Sequence, residues 1–185
     1  MSSLPPDVAV RRARPVDLAA LAAFVERCST DTLHRRFHGA GDRPVRRELA
    51  RIASPTAAHR SWVAVTTDGQ VHGTATLAWS RSGPTEAAFL VEDAWQRRGL
   101  GRALFAAIAV EAARADVDVV VATVQADNDR AVRFLRAVAP GVRPRYVGGA
   151  ELDLSIPVAA ASIAAPRSGP VSGGRALVSA SVEAA

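Results

Sequence analysis

The sequence contains no lysine, and it has a single cysteine, a single methionine and a single tyrosine. With only Cys28 available, the chain cannot form an internal disulfide, which excludes the small proteins that depend on disulfide bonds. No apolar run approaches the roughly 18 residues that a membrane-spanning helix needs, and no charged-then-apolar leader opens the sequence. We therefore expect a cytoplasmic protein without a membrane partner. Because no motif surrounds Cys28, we interpret it as a thiol on a helix face rather than a nucleophile.

Since lysine is absent, all 23 basic residues are arginines, and the net charge is +5. This charge suits a polyanionic small molecule, and it also suits a nucleic acid. Aromatic residues make up only 5% of the chain. They do not alternate with the scattered arginines as they would in a base-stacking surface, so we predict no nucleic-acid partner. A chain of 185 residues is the size of one domain with a substantial core.

The most informative stretch joins a short strand to a helix. Residues 87–91 form an apolar run of strand length, which ends at Glu92 and Asp93. The loop of residues 96–101 follows, reading Gln-Arg-Arg-Gly-Leu-Gly, and a helical pattern then begins. That pattern consists of Leu100, Leu104, Phe105, Ile108 and Ala112 at spacings of three and four. The two glycines of the loop are thus predicted at a helix N-terminus.

A helix N-terminus of this kind can bind a phosphate. The first backbone N–H groups lack partners inside the helix and lie at the positive end of its dipole. Gly99 and Gly101 have no Cβ atom to hold an anion away from the backbone. Side-chain donors around them would come from Gln96, Arg97, Arg98 and Arg102. A P-loop is excluded because it needs a lysine, and a dinucleotide fingerprint is excluded because Leu104 stands where its third glycine or alanine belongs. A plain strand-to-helix turn is the alternative interpretation.

With this loop between a strand and a helix, the sequence resembles the GNAT superfamily of N-acetyltransferases, whose signature loop reads Gln/Arg-x-x-Gly-x-Gly/Ala. The resemblance implies an α/β (α+β) GNAT fold, a mixed central sheet of about six to seven strands with helices on both faces. It implies acetyl-CoA as cosubstrate, with its pantetheine arm along Phe89, Leu90 and Val91. The pyrophosphate would then be held by Gln96, Arg97, Arg98, Gly99, Leu100, Gly101, Arg102 and Ala103. We expect residues 1–156 to form this single domain.

Patterns along the rest of the chain fit one α/β domain. We predict strands at residues 8–12, 61–67, 70–79, 117–124, 143–147 and 150–156, with a hairpin turn at Asp68-Gly69. The strand at 117–124 is almost continuously apolar, which predicts burial on both faces and parallel pairing with the strand at 87–91. Trp62 and Trp79 are expected to be packing residues. Helices are predicted at residues 13–27, from Ser29, from Asp42 and after a cap at Asp127 or Asn128. Residues 157–185 are rich in Ala, Ser, Gly and Pro, and predict a disordered tail.

A second match to the superfamily lies at Asn128-x-x-Ala131, which resembles its Asn-x-x-Ala motif. The resemblance implies that Asn128 contacts the pantetheine arm or an ordered water. The usual general acid of the superfamily is a tyrosine seven positions further on, but that position is Leu135. Phe134 beside it has no hydroxyl, and Tyr146 lies in a later strand. Loss of this acid is expected to slow turnover rather than abolish it.

The residues proposed for catalysis and acceptor choice precede the loop. Ser29, Thr32 and the pair Arg36-Phe37 resemble a Ser-x-x-Thr/Ser-x-x-x-Arg-Phe segment of bacterial GNAT protein-lysine acetyltransferases. Glu86 lies ten residues before Gln96, as the catalytic glutamate does in those enzymes. A lysine amine has a pKa of ~10.4, so its deprotonation at pH 7 costs about 4–5 kcal/mol and benefits from a base. We expect Glu86 to be that base, as a buried carboxylate with a raised pKa; a solvated residue at the start of a strand is the alternative.

The sequence therefore predicts an N-acetyltransferase that transfers an acetyl group directly to an amine in a ternary complex. A protein lysine is the expected acceptor, and a small-molecule amine is the next. A catalytically weakened CoA-binding sensor or interaction module is the hypothesis from another class. His34 and His38 would share a helix face, but a third ligand is missing, so we predict no metal. A homodimer is possible, and the absence of lysine limits autoacetylation to the N-terminus.

Overall fold

A seven-stranded sheet forms the centre of the computed structural model, which describes residues 4–37 and 42–158. The strands are β1 (Val8–Arg12), β2 (His59–Thr66), β3 (Val71–Ala78), β4 (Glu86–Val91), β5 (Val119–Gln125), β6 (Arg143–Gly148) and β7 (Glu151–Pro157). Their order across the sheet is β1-β2-β3-β4-β5-β7-β6. Every neighbouring pair is antiparallel except β4 and β5, which are parallel. The mixed sheet expected from the sequence is confirmed.

The described residues form five α-helices. They are α1 (Leu18–Arg27), α2 (Thr30–Phe37), α3 (Asp42–Ala53), α4 (Leu100–Arg114) and α5 (Asp129–Val138). The predicted helix at residues 13–27 is instead a 3-10 turn at Pro15–Asp17 followed by α1. Asp17 ends this turn, and its carboxylate accepts the backbone N–H of Arg14 at 2.8 Å. The side chain therefore stabilises a bend where periodicity alone predicts continuous helix.

Helices cover both faces of the sheet because its strands alternate apolar side chains to the two sides. On β2, Val63 and Val65 pack in a core with Leu21 and Phe24 of α1 and with α3. The intervening residues face the other core, which holds α4 and α5. The buried members of β2, α4 and α5 in this second core are Trp62, Ala64, Leu100, Leu104, Phe105, Ala107, Ile108, Ala109, Ala112 and Leu135. The predicted packing role of Trp62 agrees with its complete burial.

A buried carboxylate fixes α4 to the first two strands. Glu111 of α4 is 1% exposed and contacts the guanidinium groups of Arg12, at 2.6 Å, and of Arg60. The same two guanidiniums lie over the rings of Trp62 and Trp79, at 4.9 and 5.5 Å from the ring centres. The two positive charges offset the energetic cost of burying the Glu111 carboxylate. The cluster therefore fixes the C-terminal part of α4 to β1 and β2.

Strands β4 and β5 pair only at their beginnings. The register contains one pair, Glu86 with Val121, and the N–H of Val121 donates to Thr85 O at 2.8 Å. Beyond that point the strands separate and leave a cleft. The prediction that β5 is buried on both faces is wrong, since Val119 is 47% exposed and exposure alternates along the strand. The helices α4 and α5 cover only the face with Val120, Ala122 and Val124, and β5 borders the cleft.

The last described strand continues past the predicted end of the domain. β7 includes Pro157, and Val158 is fully buried and donates its N–H to Asp118 O at 2.9 Å. The predicted tail therefore cannot begin at residue 157, and the remainder of that prediction, residues 159–185, lies outside the described residues. Among residues 4–37 and 42–158, no helix is long and apolar enough to cross a membrane.

Candidate active site

A cleft of about 770 Å³ opens where β4 and β5 separate. It is lined by both strands, by residues of α2 and α3, by the loop before α4 and by α5. The predicted site residues that line it are Glu86, Phe89, Leu90, Val91, Gln96, Arg97, Gly99, Gly101, Arg102 and Asn128. Arg98, Leu100 and Ala103 are not among the residues that form its wall. The separated strands thus bring the predicted base and the predicted phosphate loop into one cavity.

The glycine loop has the backbone geometry of an anion site. Gly99 is the N-cap of α4 and has φ of 85°, a left-handed conformation that favours glycine. The N–H of Ala103 donates to Gly99 O at 3.1 Å. This N–H is therefore not free to bind a phosphate, as the sequence analysis expected of Ala103. The N–H groups of Leu100, Gly101 and Arg102 precede the first helical hydrogen bond, and Leu100 has its side chain in the core. These N–H groups fit a diphosphate at the start of a 15-residue helix.

The side chain of Gln96 was expected to contact a phosphate, but in the structure it binds other protein groups. Its amide nitrogen donates to Val91 O at 3.1 Å and lies 3.4 Å from Thr32 Oγ1, so it joins the loop to β4 and α2. Its amide oxygen accepts a hydrogen bond from Arg130 of α5. Arg130 lines the cleft and was missed by the sequence analysis. Arg130 lies four residues before Phe134, so the two side chains share one face of α5. This spacing is the sequence signal that could have identified Arg130.

Arg98 points to the other side of the loop. Its guanidinium lies 5.2 Å from the centre of the Trp95 ring, and Trp95 stacks on His72 at 4.0 Å. His72 Nδ1 in turn lies 2.8 Å from a Glu92 carboxylate oxygen. This stack supports the loop on the side away from the cleft. The arginines of the loop region and of α5 that line the cleft are Arg97, Arg102 and Arg130.

Asn128, one of the two predicted cap residues, is the N-cap of α5. Its Oδ1 accepts the N–H of Ala131 at 3.1 Å, which caps the helix and leaves the amide NH₂ as the group available to a ligand. Phe134 lines the cleft and packs edge-on to Phe89, with 6.0 Å between the ring centres. Leu135 is buried and has no proton to give. Tyr146 is 65% exposed on β6 and is absent from the cleft wall, so it does not replace the missing general acid.

Glu86 lies at the opposite end of the cleft from the glycine loop. It is the first residue of β4 and it is exposed, so the expectation of a buried carboxylate is wrong. Its position explains this, because Glu86 follows almost directly on the exposed segment of residues 81–84. The carboxylate faces the cleft and is reachable by an acceptor and by water. Its role as a base remains a prediction.

Three charged residues of α2 and α3, namely Arg36, Glu48 and Arg51, line the cleft, and the sequence analysis missed them as a group. Arg36 Nη2 donates to Glu48 Oε1 at 2.9 Å, while Arg51 donates to Glu48 through Nε and Nη2, each at 2.8 Å. Burial acts to raise the pKa of Glu48, but the hydrogen bonds and charges of Arg51 and Arg36 outweigh it and hold that pKa below its usual value. Burial lowers the pKa of Arg36.

The motif at the start of α2 has a structural role. Ser29 and Thr32 bind the carboxylate of Asp93, through the Ser29 N–H at 2.8 Å and through the two hydroxyls at 2.9 and 2.8 Å. Burial raises the pKa of Asp93, but these donors prevail and lower it. Arg35 contacts Asp31 on its own helix at 3.0 Å and Asp127 across the cleft at 3.4 Å. These contacts fix α2 to the strand-to-helix connections at both sides of the cleft.

Two further predictions concern residues outside the cleft wall. Cys28 is buried just after α1, and burial raises the pKa of its thiol to about 12, with Asp93 and Glu92 adding to the effect. His34 lies on α2, whereas His38 lies outside the described residues. Within the described part of the chain, no group of three His, Cys, Asp or Glu residues is arranged to hold a metal ion.

A mixed sheet of seven strands with five helices, as the described residues form it, is the fold of the GNAT acyltransferases. Residues 25–138 match the model of the acetyltransferase (GNAT) family, and the chain belongs to that family. Family members use acetyl-CoA as the acetyl donor, so the expected fold, class of enzyme and cosubstrate are confirmed.

Solved structures of GNAT proteins resemble this one at low sequence identity. The GNAT domain of S. lividans PAT is 21% identical, has a TM-score of 0.67, and the match covers 80% of this chain and 89% of that one. YncA from Salmonella typhimurium, solved with acetyl-CoA, is 22% identical with a TM-score of 0.59, covering 82% and 94%. Spermidine N-acetyltransferase from Vibrio cholerae is 14% identical with a TM-score of 0.62, covering 84% and 98%. No curated protein matches the sequence. These likenesses concern the fold, and none determines the acceptor.

Proposed function

We propose that this protein acetylates an amine by direct transfer from acetyl-CoA within a ternary complex, with Glu86 as the base. The observation that carries the proposal is that Glu86 and the Gly99–Gly101 loop line one continuous cleft. An acceptor that enters the cleft at the end with Glu86 and Arg51, which we call the acceptor end, would meet the carboxylate before it reaches a cosubstrate held by the loop. Such placement of two reactants in one cavity is the main requirement of direct transfer.

Acetyl-CoA supplies an acetyl group activated as a thioester. In our proposal the N–H groups of Leu100, Gly101 and Arg102 bind its diphosphate, and the Asn128 NH₂ orients the pantetheine arm along β4. Glu86, directly or through a water, removes a proton from the acceptor ammonium. The neutral amine then forms the new C–N bond with the carbonyl carbon, the C–S bond breaks, and its electron pair leaves with the sulfur. The acylated nitrogen gives its remaining extra proton to water, which leaves a neutral amide. Because Leu135 cannot donate a proton, the sulfur leaves as a thiolate that solvent protonates.

The acceptor that we propose first is a lysine side chain of another protein. Support comes from the segment Ser29 to Phe37, whose Ser, Thr, Arg and Phe match the pattern of bacterial GNAT protein-lysine acetyltransferases. A cleft that is open at the Glu86 end suits a side chain delivered from a protein surface. A small-molecule amine is the second acceptor class, since one of the solved structures with this fold is an enzyme named for spermidine.

A CoA-binding sensor without catalysis is the second candidate function. The observation that favours it is the buried Leu135 at the position of the usual tyrosine, together with the exposed Tyr146 on the far strand β6. A sensor would need the loop, Asn128 and the cleft, but it would not need Glu86.

The decisive test compares Glu86→Gln with Glu26→Gln, a control on the exposed side of α1. Acetyl-CoA binding by calorimetry is expected to be nearly unchanged in both variants. CoA release in the presence of lysine peptides and amines should fall about 10²–10⁴-fold at pH 7 for Glu86→Gln alone. Raising the pH toward the acceptor pKa of ~10.4 should shrink this defect, because the amine is then already neutral.

The outcomes separate the two candidate functions. Tight acetyl-CoA binding with no acceptor-dependent release from the unmodified protein would favour the sensor. Acceptor-dependent release at an equal rate in Glu86→Gln would keep the enzyme but remove Glu86 from its mechanism. Failure to bind acetyl-CoA would contradict both proposals.

A further inference from the structure

The acceptor end of the cleft carries more positive charge than its own carboxylate neutralises. Arg36 and Arg51 both donate to Glu48, so two guanidiniums share one carboxylate. The side chains of Arg36 and Arg51 are 21% and 37% exposed, and both line the cleft. Glu48 is 15% exposed, and its carboxylate already accepts hydrogen bonds from both guanidiniums and so holds them in place. The unit of three side chains has a net charge of +1.

The hydrogen bonds leave guanidinium edges unused by Glu48. Arg51 binds it through Nε and Nη2, which leaves its Nη1 edge outside this contact. Arg36 uses Nη2 for Glu48, which leaves Nε and Nη1 outside the contact. A guanidinium fixed on one edge by a carboxylate is pre-organised to bind a second carboxylate with another edge. Two such groups on one wall make a site for an anion.

Glu86 stands on the same part of the wall. The pKa of Arg51 is raised by its hydrogen bond to Glu48, against the effect of burial, and the charge of Glu86 adds to the increase. Glu86 and Arg51 make no ion pair within 4.0 Å among the described residues, so the two charges remain separate. A cation and an anion of one ligand would therefore find opposite charges side by side.

We propose that the acceptor carries a carboxylate close to its reactive amine. The amine lies at Glu86, and the carboxylate is bound by Arg51 with help from Arg36. This inference rests on the proposed acetyl transfer and names the chemistry of its acceptor. The carboxylate has two possible sources, a free amino acid or an acidic side chain beside a lysine in a peptide. A polyamine is disfavoured, because its second ammonium would meet the guanidiniums.

The test uses acceptors matched in everything except the carboxylate. Peptides with Glu beside a lysine are compared with the same peptides carrying Gln, and free amino acids are compared with their carboxamides, with spermidine as a cationic control. We expect kcat/KM to be about 10–100-fold higher for carboxylate acceptors. The pair that shows this difference identifies the source. Arg51→Gln should remove the preference mainly through KM, Arg51→Lys should retain part of it, and Arg47→Gln, exposed on α3 and outside the cleft wall, should retain all of it.

Binding measurements keep this inference distinct from the proposed function. The same acceptor pairs are titrated by calorimetry into the protein saturated with CoA. Tighter binding of carboxylate acceptors, lost in Arg51→Gln, would support the inference even if no acceptor is acetylated, in which case only the proposed function fails. Equal kcat/KM and equal binding for acids and amides would overturn it. If Arg51→Gln does not fold, Arg36→Gln is tested in its place, and an unchanged preference in a folded variant also overturns the inference.

Discussion

The backbone of Gly101 lies against the ring of Phe134, so that a Cβ atom added at residue 101 would stand 3.0 Å from Cε2 and 3.1 Å from Cζ of that ring. Phe134 also packs edge-on to Phe89 of β4. The missing Cβ therefore sets how closely α5 approaches the phosphate loop. The second glycine of the signature does two things at once, since it leaves the N–H groups accessible and it makes room for an aromatic wall.

We predict that Gly101→Ala weakens acetyl-CoA binding about tenfold, the effect of losing one well-made hydrogen bond. The added methyl must displace Phe134 into the cleft or move the loop, and either change disturbs the N–H groups that face the diphosphate. The control is Gly83→Ala, whose Cβ would meet only the side chain of Ser80 in an exposed turn. Calorimetry with acetyl-CoA measures both. Unchanged affinity in Gly101→Ala would mean that the loop does not depend on this spacing.

The sequence predicted the elements well because each of them depends on a local signal. The strand at β4, the loop glycines and the cap at Asn128 are all specified within a few residues, and the structure has them where periodicity and capping placed them. The separation of β4 from β5 has no such signal. It depends on how two distant segments pair, and an apolar run such as β5 looks the same whether one face or both are covered.

The candidate site was predictable only where a motif carries it. The glycine loop and Asn128 each belong to a short motif of contiguous residues, which the sequence alone can reveal. Arg36, Glu48 and Arg51 come from two helices, and nothing in the spacing of α2 and α3 indicates that one carboxylate receives both guanidiniums. Glu86 was identified from its distance to the loop, but its exposure was not predicted, because burial depends on how the segment before β4 and the distant helix α3 pack around it.

Cys28 is predicted to be unreactive in the folded protein. Its thiol has a pKa of about 12 because it is buried near two carboxylates, so at pH 8 only about one thiol in 10⁴ is ionised. A thiol reagent such as DTNB should therefore label less than a few per cent of the native protein during a rate measurement. In guanidinium chloride it should label one thiol per chain. Rapid labelling of the native protein would show that the end of α1 opens readily. A slow reaction also means that released CoA can be measured without interference.

The Arg11–Asp17 pair predicts how stability depends on pH. Asp17 is 5% exposed and accepts two hydrogen bonds from the Arg11 guanidinium, each 2.7 Å, and one from the Arg14 N–H. The hydrogen bond from Arg11 is the largest cause that lowers the pKa of Asp17, against the effect of burial. Since the pKa is lower in the folded state than in the unfolded state, this carboxylate stabilises the fold above the unfolded pKa of ~3.9. The stabilisation is lost as the pH falls from about 5 through the folded value.

We therefore expect Asp17→Asn to lower the free energy of unfolding at pH 7 by about 1–3 kcal/mol, since a buried charged hydrogen-bond acceptor is lost. The difference between this variant and the unmodified protein should shrink between pH 5 and the acid limit of folding, because protonation then removes the same charge from the unmodified protein. Urea unfolding at pH 7, 5, 4 and 3.5 measures both effects, and Asp7→Asn, at an exposed residue just before β1, serves as the control. A difference that stays constant with pH would show that the two proteins differ in packing or hydrogen-bond geometry at residue 17, and that the carboxylate charge does not stabilise the turn before α1.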